Sequence, residues 1–273
     1  MTSPCETLAG RRILITRPAH QSGGWCDLLQ AEGALTDCIP MLDIVPVGAG
    51  EGSQSDTQAI KNLILDFDQF DHAIFVSQNA VQYGFDWLDN YWPQLPQGPR
   101  FYAIGAATAR AIRARGAAPE TGNTGGDEPS TMDSEALLAL PTLQQPAGER
   151  VIIFRGQGGR TLIGDTLIER GARLDYCELY QRALPADAVA KMRAYHHIPD
   201  AVTVHSGETL ENLNRVLDTS GRTALRQSLL ICPSPRVADT ARALGFPRVY
   251  AASNAGDSAM LATLKDALAA DHS

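Results

Sequence analysis

Two arginines and three glycines between residues 155 and 160 form the segment of this sequence best suited to bind an anion. The run reads RGQGGR. It follows the apolar residues 151–154, which predict a buried strand, and it precedes apolar residues that recur at helical spacing up to Arg170. A helix that begins in such a loop presents free N–H groups and a positive dipole end, and guanidinium groups match carboxylates and phosphates. The segment therefore predicts an anion site; the alternative is an ordinary strand-to-helix turn with solvated arginines.

The unit that contains this loop occurs twice in the chain. Arg17 takes the place of Arg155, and two further corresponding strands end in Ser77 and Ser206. The paired windows are residues 12–46 with 149–185, 71–88 with 200–217, and 101–120 with 229–249. An internal repeat of this kind predicts two copies of one α/β unit.

We expect strands to alternate with helices along the chain, which favours parallel sheets covered by helices on both faces. Ligands of such sheets bind at the carboxyl ends of the strands. Several residues directly follow a predicted strand and precede a helix, namely Arg17, Ser77, Gly105, Arg155, Ser206 and Ser234. If the two sheets present these loops toward each other, the loops line a cleft between domains that suits a large, polar, polyanionic ligand.

Length and composition agree with a two-domain globular protein. The chain has 273 residues, of which 44% are hydrophobic and 20% charged, so each half can form its own core. The formal net charge of −8 argues against nucleic acid and anionic membranes as partners. We expect neither a membrane span nor a signal peptide, because no apolar run is long enough. Five scattered cysteines without a C-x-x-C pair favour reduced thiols in the cytoplasm over a metal site or disulfides.

The sequence around the glycine loop resembles a known family. The run RGQGGRTLIGDTLIERGARLDYCELYQRALP, residues 155–185, resembles the central signature of uroporphyrinogen-III synthases. The segments ILITRP, FVSQNAV, AIGAATA and SEALL resemble other landmarks of that family in the same order. The resemblance therefore covers essentially the whole chain, and the central run is its most specific part.

For the fold, the resemblance implies two flavodoxin-like parallel-sheet domains from an internal duplication. The chain would leave the first domain, build the second and return. Domain one would comprise residues 1–39 and 181–273, and domain two would comprise residues 48–173. Residues 40–47 and 174–180 would pair as a two-stranded hinge.

For function, the resemblance implies the cyclisation of hydroxymethylbilane, a linear tetrapyrrole with eight carboxylates, in haem biosynthesis. Such a lyase closes the ring while it inverts the terminal pyrrole, through a spiro intermediate and with loss of water. It needs no cofactor and no metal. The resemblance also suggests a transient contact with the deaminase that supplies the substrate, and it places the enzyme in the cytoplasm.

The resemblance also implies which side chains act. Tyr180 would face the cleft and donate a proton to the departing hydroxyl group. Hydroxyls and arginines on strand-end loops would bind the substrate, namely Ser77, Thr108, Ser206, Ser234, Arg17 and Arg155. The chain departs from the family at Val76 and His205, where threonine is frequent, and in the run Cys-Pro-Ser-Pro around Ser234. Structural roles stay open beside these, since Tyr180 could pack across strands and the serines could simply cap helices.

Two other functions compete with this interpretation. One is a dinucleotide-binding oxidoreductase, because Gly156 and Gly158 lie between a strand and a helix, with Glu178 near the usual place of a ribose-binding acid. Its third glycine position holds Thr161. The other is a non-catalytic two-domain protein that closes on an anion. Detection of a cyclised tetrapyrrole would separate the synthase from both.

Overall fold

The structure, a computed structural model, describes residues 8–48, 54–120 and 133–270. Its internal contacts divide the chain into two units. The first unit lies within residues 1–43 and 183–273, and the second lies within residues 44–182. Cys5, one of the five cysteines, lies outside the described residues.

Helices and strands alternate through both units. In chain order they are β1 (Arg12–Ile15), α1 (Ala19–Ala31), β2 (Leu35–Cys38), β3 (Asp43–Pro46), α2 (Gln54–Leu65), β4 (His72–Phe75), α3 (Gln78–Tyr91), β5 (Arg100–Ala103), α4 (Ala106–Ala114), α5 (Ser134–Leu138), α6 (Pro141–Gln144), β6 (Arg150–Gly156), α7 (Leu162–Glu169), β7 (Arg173–Ala183), α8 (Ala188–Ala194), β8 (Ala201–Thr203), α9 (Gly207–Ser220), β9 (Leu229–Cys232), α10 (Pro235–Ala243), β10 (Val249–Ala251) and α11 (Asp257–Ala270). Short 3-10 helices span Phe67–Gln69 and Thr223–Gln227.

The sheet of the first unit has the strand order β10-β9-β8-β1-β2, and its neighbouring strands are parallel. Numbered along the chain within this unit, that order is 2-1-3-4-5, the flavodoxin-like arrangement. Central β1 is buried on both faces, because Leu14 packs into one core while Ile13 and Ile15 pack into the other. Helices α9 and α10 cover the first face, and α1 and α11 cover the second. The predicted α/β class is confirmed, and the sheet of this unit is parallel as predicted.

The sheet of the second unit has the order β3-β7-β6-β4-β5, and the ladders from β7 to β5 are parallel. If β6 is matched with β1, as the paired sequence windows suggest, the order β7-β6-β4-β5 repeats β2-β1-β8-β9. A single parallel bridge between Phe101 and Pro119 stands where the first unit has β10. The two units therefore share one order of matched strands, while duplication as their origin stays a prediction.

Two aspartates hold the sheets together at matching positions. Asp200 accepts the backbone N–H of Arg12 at 2.8 Å, and Asp71 accepts the backbone N–H of Arg150 at the same distance. Burial raises the pKa of Asp200, but hydrogen bonds from Arg12 and Arg11 outweigh burial, so the pKa is lowered overall. These hydrogen bonds fix the register at the amino ends of the strands. They do not constrain the loops at the carboxyl ends.

The segments predicted as a hinge have a defined place in the sheets. Residues 174–180 lie within β7, which pairs with β6 from Arg173 to Tyr180. The other predicted hinge segment, residues 40–47, contains β3, which lies beside β7 at the sheet edge. Their role as a hinge and the exact domain boundaries stay predictions. Among the described residues, no helix combines the length and the apolar character that a membrane crossing requires.

Candidate functional site

A cavity of about 320 Å³ lies at the carboxyl ends of β4, β5 and β6 in the second unit. The glycine loop of residues 156–160 forms one wall, and the first turns of α5 and α7 contribute Ser134, Ile163 and Gly164. Strand β7 contributes Tyr176, Tyr180 and Arg182. The cavity therefore lies where parallel sheets usually bind ligands, and it is lined by arginines, aromatic rings and backbone N–H groups.

The glycine loop depends on backbone conformations that only glycine adopts readily. Gly158 and Gly159 have φ angles of 70° and 91°. The N–H of Gln157 donates to the carbonyl of Tyr180 at 2.7 Å, which ties the loop to β7. Helix α7 begins at Leu162, two residues later than the sequence pattern predicts, because the loop continues through Thr161. The predicted strand, glycine loop and helix are thus present.

Arg155 is folded into the wall of this cavity. Its side chain is only 8% exposed, and its Nε and Nη1 donate to the carbonyls of Gly156 and Arg160 at 3.1 and 3.4 Å. The guanidinium lies 4.9 Å from the ring centre of Tyr176. Among the described residues, its Nη2 has no hydrogen-bond partner. Arg155 is therefore a positioned cation with donor capacity left for an anion.

Tyr180 lies on the opposite side of the loop and is only 1% exposed. Its hydroxyl oxygen lies 2.8 Å from Ser77 Oγ, and its ring packs against Gly156, where an added Cβ would come within 2.5 Å of the ring. The ring of Tyr83 packs against that of Tyr180 in a tilted arrangement, with ring centres 5.7 Å apart. Tyr180 therefore packs in the core, as the structural alternative expects, and also lines the cavity, as the proposed catalytic role requires.

Two further predicted site residues lie on helices of the same unit. Ser77 caps α3 by accepting the N–H of Ala80 at 3.1 Å, so capping and contact with Tyr180 use one hydroxyl. Thr108 is 4% exposed on the third residue of α4, which begins at Ala106 after Gly105 with a φ of 80°. Gly105 makes the turn before this helix, so Thr108 lies within the first turn of α4 rather than at its start.

The other three predicted site residues lie in the first unit, after the adjacent strands β1, β8 and β9. Arg17 forms a 2.8 Å ion pair with Asp257 at the start of α11. Ser206 caps α9 through the N–H of Thr209 at 3.1 Å, and Ser234 caps α10 through a long 3.5 Å contact with Val237. These residues share one edge of the first sheet, where each already has a partner within its own unit.

His205 lies at the same edge of the first sheet, and the sequence does not indicate its protonation state. Neither of its ring nitrogens has a hydrogen-bond partner among the described residues, and its ring packs edge-on against Trp25 with centres 5.6 Å apart. Burial, and then the charge of Arg17, lower its pKa to about 3. His205 is therefore a neutral ring at physiological pH.

Several cavity residues were not singled out from the sequence. Arg182 and Tyr176 line the cavity with Tyr180, although the register shift after Glu178 interrupts the alternation of β7 between Tyr176 and Tyr180. Strand alternation therefore could not have identified this set from the sequence.

The arrangement favours proton transfer and anion binding over other chemistry. Burial raises the pKa of the Cys177 thiol far above its ordinary value and that of Cys232 to about 12, so these thiols are protonated and poorly nucleophilic. No group of three or more potential metal ligands occurs among the described residues. The groups that remain are the Tyr180 hydroxyl, the Ser77 hydroxyl and the cations of the loop.

Comparison with known sequences identifies relatives over nearly the full length. The family model described as uroporphyrinogen-III synthase HemD matches residues 25–262. The chain is 34% identical to the uroporphyrinogen-III synthase of Salmonella typhimurium over 260 residues, which cover 93% of this chain and 99% of the relative. It is also 34% identical to the Escherichia coli enzyme of the same name over 263 residues, with the same coverage.

Comparison with solved structures supports the fold. A mutant uroporphyrinogen III synthase from the extremely thermophilic bacterium Thermus thermophilus superposes with a TM-score of 0.59 at 17% identity, covering 96% of this chain and all of that chain. A uroporphyrinogen-III synthetase from Helicobacter pylori gives a TM-score of 0.57 at 13% identity, covering 94% and 99% of the two chains. At these identities the similarity concerns the fold alone.

Proposed function

The chain belongs to the uroporphyrinogen-III synthase family, and we propose that the cavity beneath the glycine loop is part of its active site. The enzyme cyclises hydroxymethylbilane to uroporphyrinogen III in haem biosynthesis. The observation that carries the proposal is the convergence of Arg155, Tyr180 and the glycine loop on one cavity at the carboxyl ends of β4 to β6.

The acid side chains of the substrate are the natural ligands of this cavity. Arg155 keeps an unused guanidinium edge, and the exposed Arg160 has no side-chain ion pair or hydrogen bond with the described residues. Carboxylates fit such guanidinium groups in two-point contacts. Binding several carboxylates folds a flexible bilane so that its two ends approach, which lowers the entropic barrier to ring closure.

Tyr180 supplies the proton in this proposal. Its O–H proton moves to the terminal hydroxyl group, the C–O bond breaks, and the hydroxyl leaves as water with the bonding electrons. Ring closure through the spiro intermediate later releases a proton from carbon, which restores the tyrosine. Ser77 orients the phenol through the 2.8 Å contact. The reaction thus balances without a cofactor.

The remaining predicted residues extend the proposed site. Thr108 belongs to the same unit, and Arg17, Ser206 and Ser234 would bind substrate carboxylates from the first unit. For Arg17 this requires exchange of its Asp257 partner for a substrate carboxylate. We also keep the cytoplasmic location and a transient contact with the upstream deaminase as parts of the proposal, the former supported by the unpaired cysteines among the described residues.

The oxidoreductase alternative has lost its support. Thr161 occupies the third position of the glycine fingerprint, and the carboxylate of Glu178 accepts the N–H of Gly158. The relatives that match nearly the full length of the chain are synthases, which likewise disfavours an oxidoreductase. The non-catalytic alternative is separated by the assay that follows.

The test is a coupled assay in which porphobilinogen and its deaminase supply hydroxymethylbilane and the oxidised porphyrin isomers are separated. Without a synthase the bilane closes to the non-inverted isomer I. We expect isomer III to dominate when this protein is present, and boiled protein serves as the control. Isomer I alone in both reactions would refute the proposed function and favour the anion-binding alternative.

A further inference from the structure

The carboxylate of Glu178 occupies the anion-binding groups of the glycine loop. Its Oε1 accepts the N–H of Gly158 at 3.3 Å and lies 3.9 Å from Nε of Arg155. Among the described residues, these are the side-chain hydrogen bond and the ion pair that the Glu178 carboxylate makes. The strand register explains these contacts. Glu178 pairs with Arg155, and a bulge in the pairing of β6 with β7 follows directly after this pair.

Both contacts have the geometry of interactions that are easily exchanged. The hydrogen bond is longer than the usual 2.7–3.2 Å range, and the ion pair is close to its distance limit. The Glu178 side chain is 41% exposed while that of Arg155 is 8% exposed. An ion pair with one partner in water contributes little to stability. A ligand carboxylate with better geometry can therefore take the place of Glu178.

Glu178 also borders open space into which it can move. Glu178 lines a second cavity of about 300 Å³, and Gln157 and Tyr176 line both this cavity and the first. The side chain can thus leave Gly158 and Arg155 without a change in the strand that carries it.

We propose that Glu178 is a specificity-determining residue that competes with ligand carboxylates for Gly158 and Arg155. The inference rests on the proposed function for its ligand, a polycarboxylate. A small anion has to displace Glu178 with one or two contacts, so it binds weakly. A substrate with many carboxylates compensates for this displacement through contacts elsewhere. Glu178 thereby disfavours small acids, and its removal should favour them.

The first experiment measures binding without turnover. Citrate is titrated calorimetrically into the wild-type protein and into Glu178→Gln, which keeps the shape of the side chain but removes its charge. We expect the variant to bind citrate about three- to tenfold more tightly, since one nearby negative charge is removed at intermediate dielectric. Glu169→Gln is the matched control, because it removes the same charge from an exposed position of α7 that does not line the cavity.

The second experiment uses the coupled assay. Because the bilane has further carboxylates that bind elsewhere, Glu178→Gln should lower KM for the bilane by a clearly smaller factor than it lowers the Kd for citrate, and it should leave kcat unchanged. If Glu178→Gln does not fold, Glu178→Asp keeps the charge but withdraws it by one methylene, and a smaller gain in citrate affinity is expected.

Three results would overturn the inference. They are unchanged or weaker citrate binding by the Glu178 variant, an equal gain in Glu169→Gln, and the absence of citrate binding in both wild type and variant. The proposed function fails separately, when the coupled assay yields isomer I alone. In that case the citrate titration still decides whether Glu178 competes with anions.

Discussion

Tyr180 is the side chain on which the proposed chemistry depends most directly. Among the described residues its hydroxyl has one hydrogen-bond partner, Ser77, and its ring is enclosed by Gly156 and Tyr83. Either hydroxyl can donate in this bond, and when Ser77 donates, the Tyr180 proton is available to a leaving group. This position suits a proton donor better than a flexible surface side chain would, because the donor has to lie within hydrogen-bond reach of the leaving group.

Replacing Tyr180 with phenylalanine removes the proton and keeps the ring. We expect kcat in the coupled assay to fall by about a hundredfold or more, the usual contribution of a general acid, with the fold retained. Loss of one hydrogen bond should lower the free energy of unfolding by about 1 kcal/mol. Tyr83→Phe is the control, since it deletes a neighbouring hydroxyl that contacts the Ile44 carbonyl at 3.4 Å. Undiminished turnover in Tyr180→Phe would exclude Tyr180 from the reaction.

Ser77 and Ser206 separate helix capping from site chemistry. Each caps a 14-residue helix through an N–H three residues later at 3.1 Å, so each alanine variant should lose about 1 kcal/mol of stability in urea unfolding. Only Ser77 also contacts Tyr180. We therefore expect kcat to fall in Ser77→Ala, whereas Ser206→Ala should raise KM if Ser206 binds substrate. If both variants have the same kinetic parameters as the wild type, the two serines act only as helix caps.

The bulge between β6 and β7 determines what the glycine loop can do. Pairing is regular up to Arg155 and Glu178, and the next pair joins Gly156 to Tyr180, so Leu179 is the extra residue of β7. The shift brings the Tyr180 ring over Gly156, whose missing side chain leaves room for it. Arg155 and Tyr180 come to line one cavity for this reason, although 25 residues separate them in the sequence.

Gly156→Ala tests this packing. The added methyl group would meet the Tyr180 ring at 2.5 Å, so we expect an overpacking cost of about 1–3 kcal/mol and a loss of kcat through displacement of the phenol. In a Tyr180→Leu background the stability cost should shrink, because the ring that the methyl group meets is gone. Gly207→Ala is the matched control, since no atom lies within 4 Å of its added Cβ and its φ is not positive. Additive costs in the double variant would contradict the explanation.

The molecule contains two sheets whose strands are held by similar hydrogen bonds at their amino ends. The loops at the carboxyl ends can therefore differ between the two units. Asp200 and Asp71 bracket the amino ends of matching strands in the two units. The carboxyl ends differ, since the second unit carries the glycine loop and the first carries Arg17 paired with Asp257. Each unit therefore presents its own strand-end side chains on the same kind of sheet.

The buried His205 makes stability of the first unit depend on pH. Its folded pKa of about 3 lies below its ordinary value of 6.5, so the unfolded chain binds the proton more tightly. The contribution of neutral His205 to the free energy of unfolding is complete above pH 6.5. It is lost as the pH falls toward 3, and the free energy of unfolding falls by at most about 1.4 kcal/mol per pH unit. We expect His205→Leu to show a shallower loss of unfolding free energy between pH 6.5 and 4. The exposed His20→Leu should follow the wild type, and parallel curves for all three proteins would refute the assignment.

Much of this protein is determined by local sequence. Apolar runs such as residues 151–154 can only be strands with two buried faces, and glycines at 158 and 159 mark a turn with positive φ. Serine before a helix predicts a cap, as Ser77, Ser206 and Ser234 confirm. These features depend on a few neighbouring residues, so the sequence alone predicts the α/β class and the strand-end location of the site.

Tertiary structure alone decided which of the candidate side chains meet. Tyr180 and Ser77, which are in contact, lie 103 residues apart in the sequence. The proposed competition of Glu178 with an anion depends on a bulge that no residue type in the sequence predicts. Burial likewise set the state of His205, because the charge of an imidazole depends on the solvent and cations around it. Local pattern determines secondary structure, whereas strand register and burial, which depend on the packing of distant segments, determine the chemistry of the site.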